Sequence, residues 1–156
     1  MEVLVAAEVG EKAPGFTLPA DDWENTVSLE EYTKRGPVAL FFYPGDWSSV
    51  CTHQMGELQA ELGRFEERGA AVLAVSADSP RSHRAFAADR GIELPLLADF
   101  NKRVIEDYGV RREAGFPDRA YFIIDREGIV RVRRVESSTR DQPDVAAVLE
   151  DLDKAL

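Results

Sequence analysis

Two continuously apolar runs with an amphipathic segment between them constrain the fold of this chain most strongly. The runs are "PVALFFY" at 37–43 and "AAVLAVS" at 70–76, and each is typical of a β-strand buried on both faces. Apolar residues between them recur at spacings of three and four: Met55, Leu58, Leu62 and Phe65. This spacing predicts one amphipathic helix that ends at Gly69. A strand, a helix and a strand in this order predict a right-handed crossover between parallel strands.

The rest of the chain adds more helices and a second pair of strands. Helices are predicted over 82–90 and 102–108, each followed by a glycine, with a short buried segment at 94–98 between them. The stretch "AYFIIDREGIVRVRRV" predicts two strands around a turn at 125–128. A terminal helix is indicated by the apolar residues Val145, Val148, Leu149 and Leu152. Parallel and antiparallel strands therefore share one sheet with helices on both faces, an α/β fold.

Length and charge limit what this fold is expected to do. With 156 residues and 44% hydrophobic content, the chain is expected to form a single domain over 1–156. Its 29 acidic residues outnumber 19 Lys and Arg, and the net charge of −10 repels phosphate backbones and anionic lipids, so neither nucleic acid nor membrane is an expected partner. No apolar run approaches ~20 residues, and the start, "MEVLVAAEVGEK", lacks the positive charge of a secretory signal. We expect a cytoplasmic protein.

The single cysteine, Cys51, follows a polar turn, "PGDWSS", that leaves the first apolar strand and enters the predicted helix. A lone cysteine in a small domain is more often an inert core residue, because free cysteine packs like a small apolar side chain. In the first turn of a helix, however, unpaired backbone N–H groups and the positive end of the helix dipole stabilise a thiolate over a thiol. The position of Cys51 therefore predicts a nucleophile.

The segment around Cys51 also carries a resemblance to a known family. Pro44, Ser48 and Cys51 stand at the spacing Pro-x-x-x-Thr/Ser-x-x-Cys, between "FFYPGDW" and "CTHQMGEL". This segment resembles the active-site segment of the peroxiredoxin family, of the AhpC/TSA type. The resemblance covers nearly the whole chain, because "VGEKAPGFTLPADD" resembles the family's opening and "RAYFIIDREGIVR" its late strand pair. It implies a thioredoxin-like fold, with a central mixed β-sheet flanked by helices on both faces.

The resemblance implies that Cys51 attacks the nearer oxygen of a peroxide while water or an alcohol leaves. Charge spreads from sulfur onto both oxygens in this transition state, so the site needs hydrogen-bond donors that are already in place. By position in the family pattern, Ser48 supplies a hydroxyl and the Cys51 backbone N–H a second donor. Arg119 supplies a guanidinium, and Pro44 walls the pocket against water.

These assignments have alternatives. Ser48, at a strand-to-helix junction, is suited to cap the helix, a role compatible with donation to a substrate. Pro44 is also suited simply to end a strand. Arg119 is preferred because it immediately precedes an apolar strand, where the resembling family keeps its active-site arginine, with Arg111 and Arg112 as weaker candidates.

The chain departs from the family pattern in two ways. Serine stands at position 48, where threonine is more common and where its extra methyl helps to fix the rotamer. There is no second cysteine, and the position five residues after the nucleophile is Gly56. Oxidised Cys51 is therefore expected to stop at sulfenic acid, the one-cysteine arrangement. The expected reductant is external: a thioredoxin-like or glutaredoxin-like protein, or a low-molecular-weight thiol.

Two histidines and a tryptophan are further candidates for a role at the site. His53 lies two residues after Cys51, and residues i and i+2 on a helix point in different directions, so catalysis by His53 is disfavoured. His83, in an arginine-flanked helix, is expected at the surface. Trp47 is interpreted as a pocket wall or an interface anchor, and the family resemblance implies a homodimer or larger homo-oligomer.

The sequence thus favours a thiol-dependent peroxidase that needs no metal, haem, flavin or nicotinamide. The spacing of one cysteine and two histidines does not form a tetrahedral metal site. The alternative is a peroxide-responsive redox sensor or chaperone-like binding protein on the same fold. A thiol–disulfide exchange protein is disfavoured, because a single thiol cannot close an internal disulfide.

Overall fold

A computed structural model describes residues 7–156. The strands are β1 (Thr17–Pro19), β2 (Thr26–Ser28), β3 (Val38–Phe42), β4 (Ala71–Ser76), β5 (Leu96–Ala98), β6 (Ala120–Ile124) and β7 (Val130–Val135). The helices are α1 (Leu29–Thr33), α2 (Ser49–Ala60), α3 (Leu62–Glu66), α4 (Pro80–Arg90), α5 (Arg103–Asp107) and α6 (Val145–Ala155). Among these helices, none is long and apolar enough to cross a membrane.

The central sheet contains five strands in the order β5-β4-β3-β6-β7, and β1 and β2 form a separate antiparallel pair. As predicted, β3 and β4 are parallel, and β6 and β7 are antiparallel. All five residues of β3 are buried. Because successive residues of a strand face opposite sides, β3 contributes to both cores. Val38, Leu40 and Phe42 belong to one core cluster, whereas Ala39 and Phe41 belong to the other.

Helices cover both sides of this sheet. Residues of α1 and α5 pack in the first cluster, and residues of α2, α3, α4 and α6 pack in the second. The α6 residues predicted from their spacing, Val145, Val148, Leu149 and Leu152, are all buried. The predicted α/β fold with a mixed sheet and two helical layers is therefore confirmed.

The crossover between β3 and β4 contains two helices instead of the single predicted one. The chain leaves α2 at Glu61, whose φ of −100° and ψ of 8° are not helical, and α3 then ends at Glu66. The apolar spacing continues across this break, with Leu58 and Phe65 buried on either side. The hydrophobic pattern therefore does not predict the break between α2 and α3. Gly69 was predicted to end the helix; α3 ends three residues earlier, at Glu66, and Gly69 has a left-handed φ of 69°.

The helix predicted from residue 82 begins two residues earlier, at Pro80. Ser79 caps this helix by accepting a hydrogen bond from the Ser82 N–H, and proline suits the first helical position because its missing N–H has no partner there. The predicted end is confirmed, since Gly91 adopts a left-handed conformation after Arg90.

Candidate active site

Cys51 lies in the first turn of α2, as predicted. The helix begins at Ser49, directly after the turn that leaves β3, and Ser48 is its N-cap residue. The Cys51 backbone N–H donates to Ser48 Oγ at 3.2 Å. The Cys51 side chain is fully buried and forms no disulfide. A thiolate here lies beside the positive end of the α2 dipole, in surroundings from which bulk water is excluded.

Arg119 contacts the sulfur directly. Its Nη2 donates to Cys51 Sγ at 3.1 Å, although 68 residues separate the two in sequence. The sheet explains this proximity, because β6 pairs antiparallel with β3 and places Ala120 opposite Phe42. Arg119, one residue before β6, therefore lies at the end of β3 from which the chain turns toward Cys51. Of the arginines that the sequence offered, the structure brings this one to the thiol.

The partners of Arg119 leave its charge without a carboxylate. The side chain is only 1% exposed, its Nε donates to the Thr139 carbonyl at 3.0 Å, and its Nη1 donates to Gln54 Oε1. Within residues 7–156, no aspartate or glutamate forms a hydrogen bond or ion pair with it. A buried charge without a counter-ion costs several kcal/mol. Negative charge that develops on the sulfur or on a peroxide oxygen would supply that counter-ion.

Gln54 is a site residue that the sequence interpretation missed. It is buried, and because Arg119 must be the donor to its Oε1, the orientation of the amide is fixed. Its Nε2 is also buried and has no hydrogen-bond partner within the described structure. The signal was available, because Gln54 lies three residues after Cys51 and residues i and i+3 share one face of a helix.

Ser48 occupies the helix-cap position, which was the alternative to substrate donation. Its Oγ accepts from the Cys51 N–H, so in this structure that N–H is engaged and does not point freely into the pocket. The Ser48 hydroxyl proton is not used by this bond and remains a possible donor. Pro44 is half-buried and lies two residues after β3 ends. Both residues belong to the segment between β3 and Cys51.

The prediction that His83 lies at the surface is wrong, because its side chain is only 1% exposed. His83 Nδ1 lies 2.7 Å from Asp46 Oδ2, and Nε2 lies 3.0 Å from the Leu97 carbonyl oxygen. These partners are 37 and 14 residues away, so the polar neighbours of His83 in sequence gave no sign of its burial. A second buried polar cluster thus lies beside the turn that leads to Cys51.

His53 and Trp47 lie at more open positions. His53 is exposed, with Nδ1 2.8 Å from Gln142 Oε1 and Nε2 3.6 Å from a Glu57 carboxylate oxygen. Trp47 is 50% exposed, and its ring packs edge-on against Phe86 of α4 at a centroid distance of 5.2 Å. Neither side chain forms a hydrogen bond with the Cys51 sulfur.

Comparison with known proteins identifies the family of this chain. The AhpC/TSA family matches residues 9–133 of the chain. A 2-cysteine peroxiredoxin (chloroplastic) from Chattonella marina var. antiqua is 38% identical over 81% of this chain and 70% of its own length. Alkyl hydroperoxide reductase E of Mycobacterium bovis is 36% identical over 86% of this chain and 90% of its own length.

A solved structure shares the whole architecture. The reduced 2-Cys peroxiredoxin of Plasmodium vivax superimposes with a TM-score of 0.86 and 30% identity, over 94% of this chain and 95% of that one. This agreement confirms the thioredoxin-like fold predicted from the sequence. The chain itself has one cysteine, where the names of two of these relatives announce a two-cysteine type. The chain belongs to the AhpC/TSA family, and it is a peroxiredoxin with a single cysteine.

Proposed function

We propose that this peroxidase reduces hydrogen peroxide or a small organic hydroperoxide through Cys51. The thiolate sulfur attacks the nearer oxygen, the S–O bond forms as the O–O bond breaks, and two electrons pass from sulfur to the peroxide. The departing oxygen takes up a proton and leaves as water or an alcohol, and Cys51 becomes a sulfenic acid. The observation that carries this proposal is the 3.1 Å contact between Arg119 Nη2 and Cys51 Sγ in a pocket without a carboxylate partner.

The roles of the surrounding residues follow from where charge develops. Arg119 stabilises the thiolate before the reaction and the negative oxygen during it, because a fixed guanidinium needs no reorganisation. Ser48 holds the first turn of α2 and offers its hydroxyl proton to the peroxide. Pro44 shields the pocket from water.

The burial of Cys51 supports a preference for small peroxides. The side chain has no exposed area in this structure, so a substrate reaches the sulfur only when the surrounding chain opens. A small peroxide requires less opening than a bulky one. We therefore expect hydrogen peroxide to react faster than a bulky aromatic hydroperoxide, and similar rates for the two would contradict this preference.

The sulfenic acid is resolved by a thiol from outside the chain, because this chain has no second cysteine. An external thiol condenses with the sulfenic acid, releases water and forms a mixed disulfide, which a second thiol then reduces. The proposed reductants are a thioredoxin-like or glutaredoxin-like protein, or a low-molecular-weight thiol. A reducing compartment, the cytoplasm, would keep the free thiol ready for each cycle.

We also propose a homodimer or larger homo-oligomer, assembled near the active-site turn. Support comes from Trp47, a half-exposed aromatic residue four positions before Cys51, since large aromatic side chains are enriched at protein interfaces. Light scattering of the wild type and of Trp47→Ala tests this proposal. A monomeric wild type would contradict it.

A redox sensor is the second candidate, and the buried thiol favours it in one respect. A protein reductant reacts slowly with a fully buried sulfenic acid, because its thiol cannot reach the sulfur. A sensor would therefore become oxidised rapidly but turn over poorly. The enzyme would instead turn over steadily with at least one reductant.

The deciding experiment is steady-state peroxide consumption with a panel of reductants that covers each proposed class. We expect sustained turnover with one of them and none for Cys51→Ser, which keeps the size of the side chain but loses the nucleophile. Rapid oxidation of Cys51 without turnover for any reductant would favour the sensor. An oxidation rate no faster than that of free cysteine would refute both.

A further inference from the structure

Asp46 and His83 form the centre of the second buried polar cluster. The Asp46 side chain is completely buried and accepts hydrogen bonds from the Tyr43 hydroxyl at 2.7 Å and the Ser82 hydroxyl at 2.9 Å. Its Oδ2 also lies 2.7 Å from His83 Nδ1. These contacts join the turn after β3 to the first turns of α4.

The hydrogen-bond partners of the two His83 ring nitrogens determine how many protons this cluster holds. The Ser76 hydroxyl lies 3.5 Å from His83 Nε2 but donates its proton to Asp78. The Leu97 carbonyl oxygen, at 3.0 Å from Nε2, accepts only, so His83 Nε2 carries a hydrogen. His83 Nδ1 faces a carboxylate oxygen at hydrogen-bond distance, and one proton must lie between them, on the imidazole or on Asp46. Among residues 7–156, the one other group within hydrogen-bond distance of Nδ1 is the Tyr43 hydroxyl, at 3.4 Å, which already donates to Asp46.

Tyr43 keeps its proton across the ordinary pH range. Burial, and after it the charge of Asp46, raises the pKa of Tyr43 well above its usual value. The hydroxyl therefore remains a donor to Asp46 and does not compete as a base for the proton next to His83.

The remaining groups that face this pair are also engaged. Asp78 accepts from the Asp46 backbone N–H at 2.8 Å and from the Ser76 hydroxyl at 2.7 Å, both through Oδ2. Asp46, Asp78 and His83 are close enough to resemble a metal-binding cluster. Their facing atoms, however, are already paired by hydrogen bonds within the chain, which supports a structural proton instead of a cation.

The cluster holds a strained stretch of backbone. Trp47 follows Asp46 directly and has a left-handed φ of 72°, a conformation that costs a residue other than glycine roughly 1–2 kcal/mol. Its indole ring packs on Phe86, so α4 contacts the turn both through this ring and through His83. Without these contacts the stretch is expected to relax.

We propose that Asp46 and His83 hold one proton between them and so clamp residues 44–48, the active-site loop, and that loss of this proton releases the loop. The loop ends at Ser48, which caps α2 and binds the Cys51 N–H, so its position sets the position of the reacting sulfur. Neither Asp46 nor His83 forms a hydrogen bond with the Cys51 sulfur, whose partner is Arg119, so both are positioning residues. Their effect on rate rests on the proposed peroxide chemistry at Cys51.

The proton itself is tested by nitrogen and proton NMR of the reduced wild type, which needs no activity. His53, the other histidine, is exposed and is an internal reference. We expect His83 at neutral pH to show a proton at Nε2 and a second, strongly deshielded proton shared by Nδ1 and Asp46. A single ring proton, with none between Nδ1 and the carboxylate, would overturn the proposal.

The clamp is tested by the rate of Cys51 oxidation as a function of pH. In Asp46→Asn the amide oxygen still accepts from Tyr43, and the amide NH2 donates one hydrogen to a neutral His83 and the other to the Ser82 oxygen. The loop therefore stays in place without the shared proton. Its rate at neutral pH is expected within about threefold of the wild type, whereas Asp46→Ala is expected to lose about tenfold or more, since small misplacements of reacting groups cost rates of this order. The wild type is expected to lose rate at alkaline pH and Asp46→Asn to keep it.

Two results would contradict the clamp: Asp46→Ala as fast as the wild type, or the same alkaline loss in Asp46→Asn. Failure of the peroxidase proposal would look different. Cys51 would then be unreactive in the wild type and in every variant, while the NMR signals of His83 would be unaffected.

Discussion

Two buried polar clusters, one around Asp46 and His83 and one around Cys51 and Arg119, differ in how completely they are paired. Around Asp46 and His83, the carboxylate oxygens and both ring nitrogens have partners within the chain. Around Cys51, Arg119 lacks a carboxylate and the Gln54 amide Nε2 lacks an acceptor among the described residues. A fully paired network fixes one arrangement of the chain, whereas an incompletely paired one keeps interaction energy for a ligand.

This difference assigns separate tasks to the two clusters. The cluster of Asp46 and His83, the holding cluster, is suited to hold the loop, because breaking any of its hydrogen bonds leaves a buried polar group without a partner. The cluster of Cys51, Gln54 and Arg119, the reactive cluster, is suited to react, because the charge of Arg119 is best satisfied when negative charge develops on the sulfur or on a peroxide oxygen. Substitutions that change the pairing of one cluster test whether the tasks are separate.

The largest effect is expected for Arg119→Ala, which removes the cation from the reactive cluster. Formation of the sulfenic acid should slow by roughly one to three orders of magnitude, by analogy with loss of a donor to an oxyanion. Stopped-flow fluorescence is a suitable measurement because Trp47 lies four residues from Cys51. Arg112→Ala is the matched control, since Arg112 pairs with Asp118 in a partly exposed ion pair. Equal rates for the two variants would remove Arg119 from the mechanism.

Much of the reactive cluster could be predicted from the sequence, because it depends on local pattern and on strand order. The position of Cys51 in the first turn of α2 followed from an apolar strand, a polar turn and a helical spacing. Arg119 is predicted because it precedes an apolar strand at the place where the resembling family keeps its active-site arginine. The antiparallel pairing of that strand with β3 explains why Arg119 lies at the sulfur.

The holding cluster could not be predicted in the same way. His83 finds Asp46 and Leu97 only after α4 packs beside the loop, and each contact spans many residues of sequence. Its neighbours in sequence are polar, so the local pattern indicated a surface helix. The break between α2 and α3 at Glu61 could not be predicted for a related reason, since the spacing of apolar residues continues across it. Long-range pairing of polar groups leaves no periodic trace in a single sequence.

Gln54→Glu is expected to have the next largest effect, because it gives Arg119 the carboxylate that the reactive cluster lacks. The guanidinium is then partly neutralised and stabilises negative charge on the sulfur and on the peroxide oxygens less well, so oxidation of Cys51 should slow by about tenfold. Stopped-flow measurement of Cys51 oxidation gives this rate directly.

Gln59→Glu is the control for this change, on the same helix. Gln59 Oε1 accepts from the backbone N–H groups of Glu93 and Leu94, a role that a carboxylate also fills. Cys51 of the Gln59→Glu variant should be oxidised at the wild-type rate. If Gln54→Glu also behaves like the wild type, the missing carboxylate is not what makes the cluster reactive.

Ser48→Ala should have a smaller effect on the rate of Cys51 oxidation. This variant also shows whether Ser48 affects that rate beyond its effect on the stability of the fold. Loss of the cap is expected to lower the free energy of unfolding by about 1 kcal/mol. The rate of Cys51 oxidation should fall severalfold as well, because the first turn of α2 carries the sulfur. Ser48→Thr keeps the hydroxyl and should recover most of both losses.

A second helix cap provides the comparison for Ser48. Ser79 caps α4 with the same geometry, accepting from the Ser82 N–H at 3.2 Å. Chemical denaturation of Ser79→Ala should show a similar loss of stability, with oxidation of Cys51 much less affected. Equal losses of rate in the two alanine variants would mean that Ser48 acts only through the stability of the fold.

His53→Ala should have the smallest effect, although His53 is nearer to Cys51 in sequence than either Arg119 or His83. Its contacts with Gln142 and Glu57 are exposed, and interactions of this kind contribute at most about 1 kcal/mol. The second-order rate of Cys51 oxidation should therefore stay within about twofold of the wild type between neutral and mildly acidic pH. A tenfold loss would place His53 in the reactive cluster and show that exposure on the outer face of α2 does not exclude a side chain from the chemistry of Cys51.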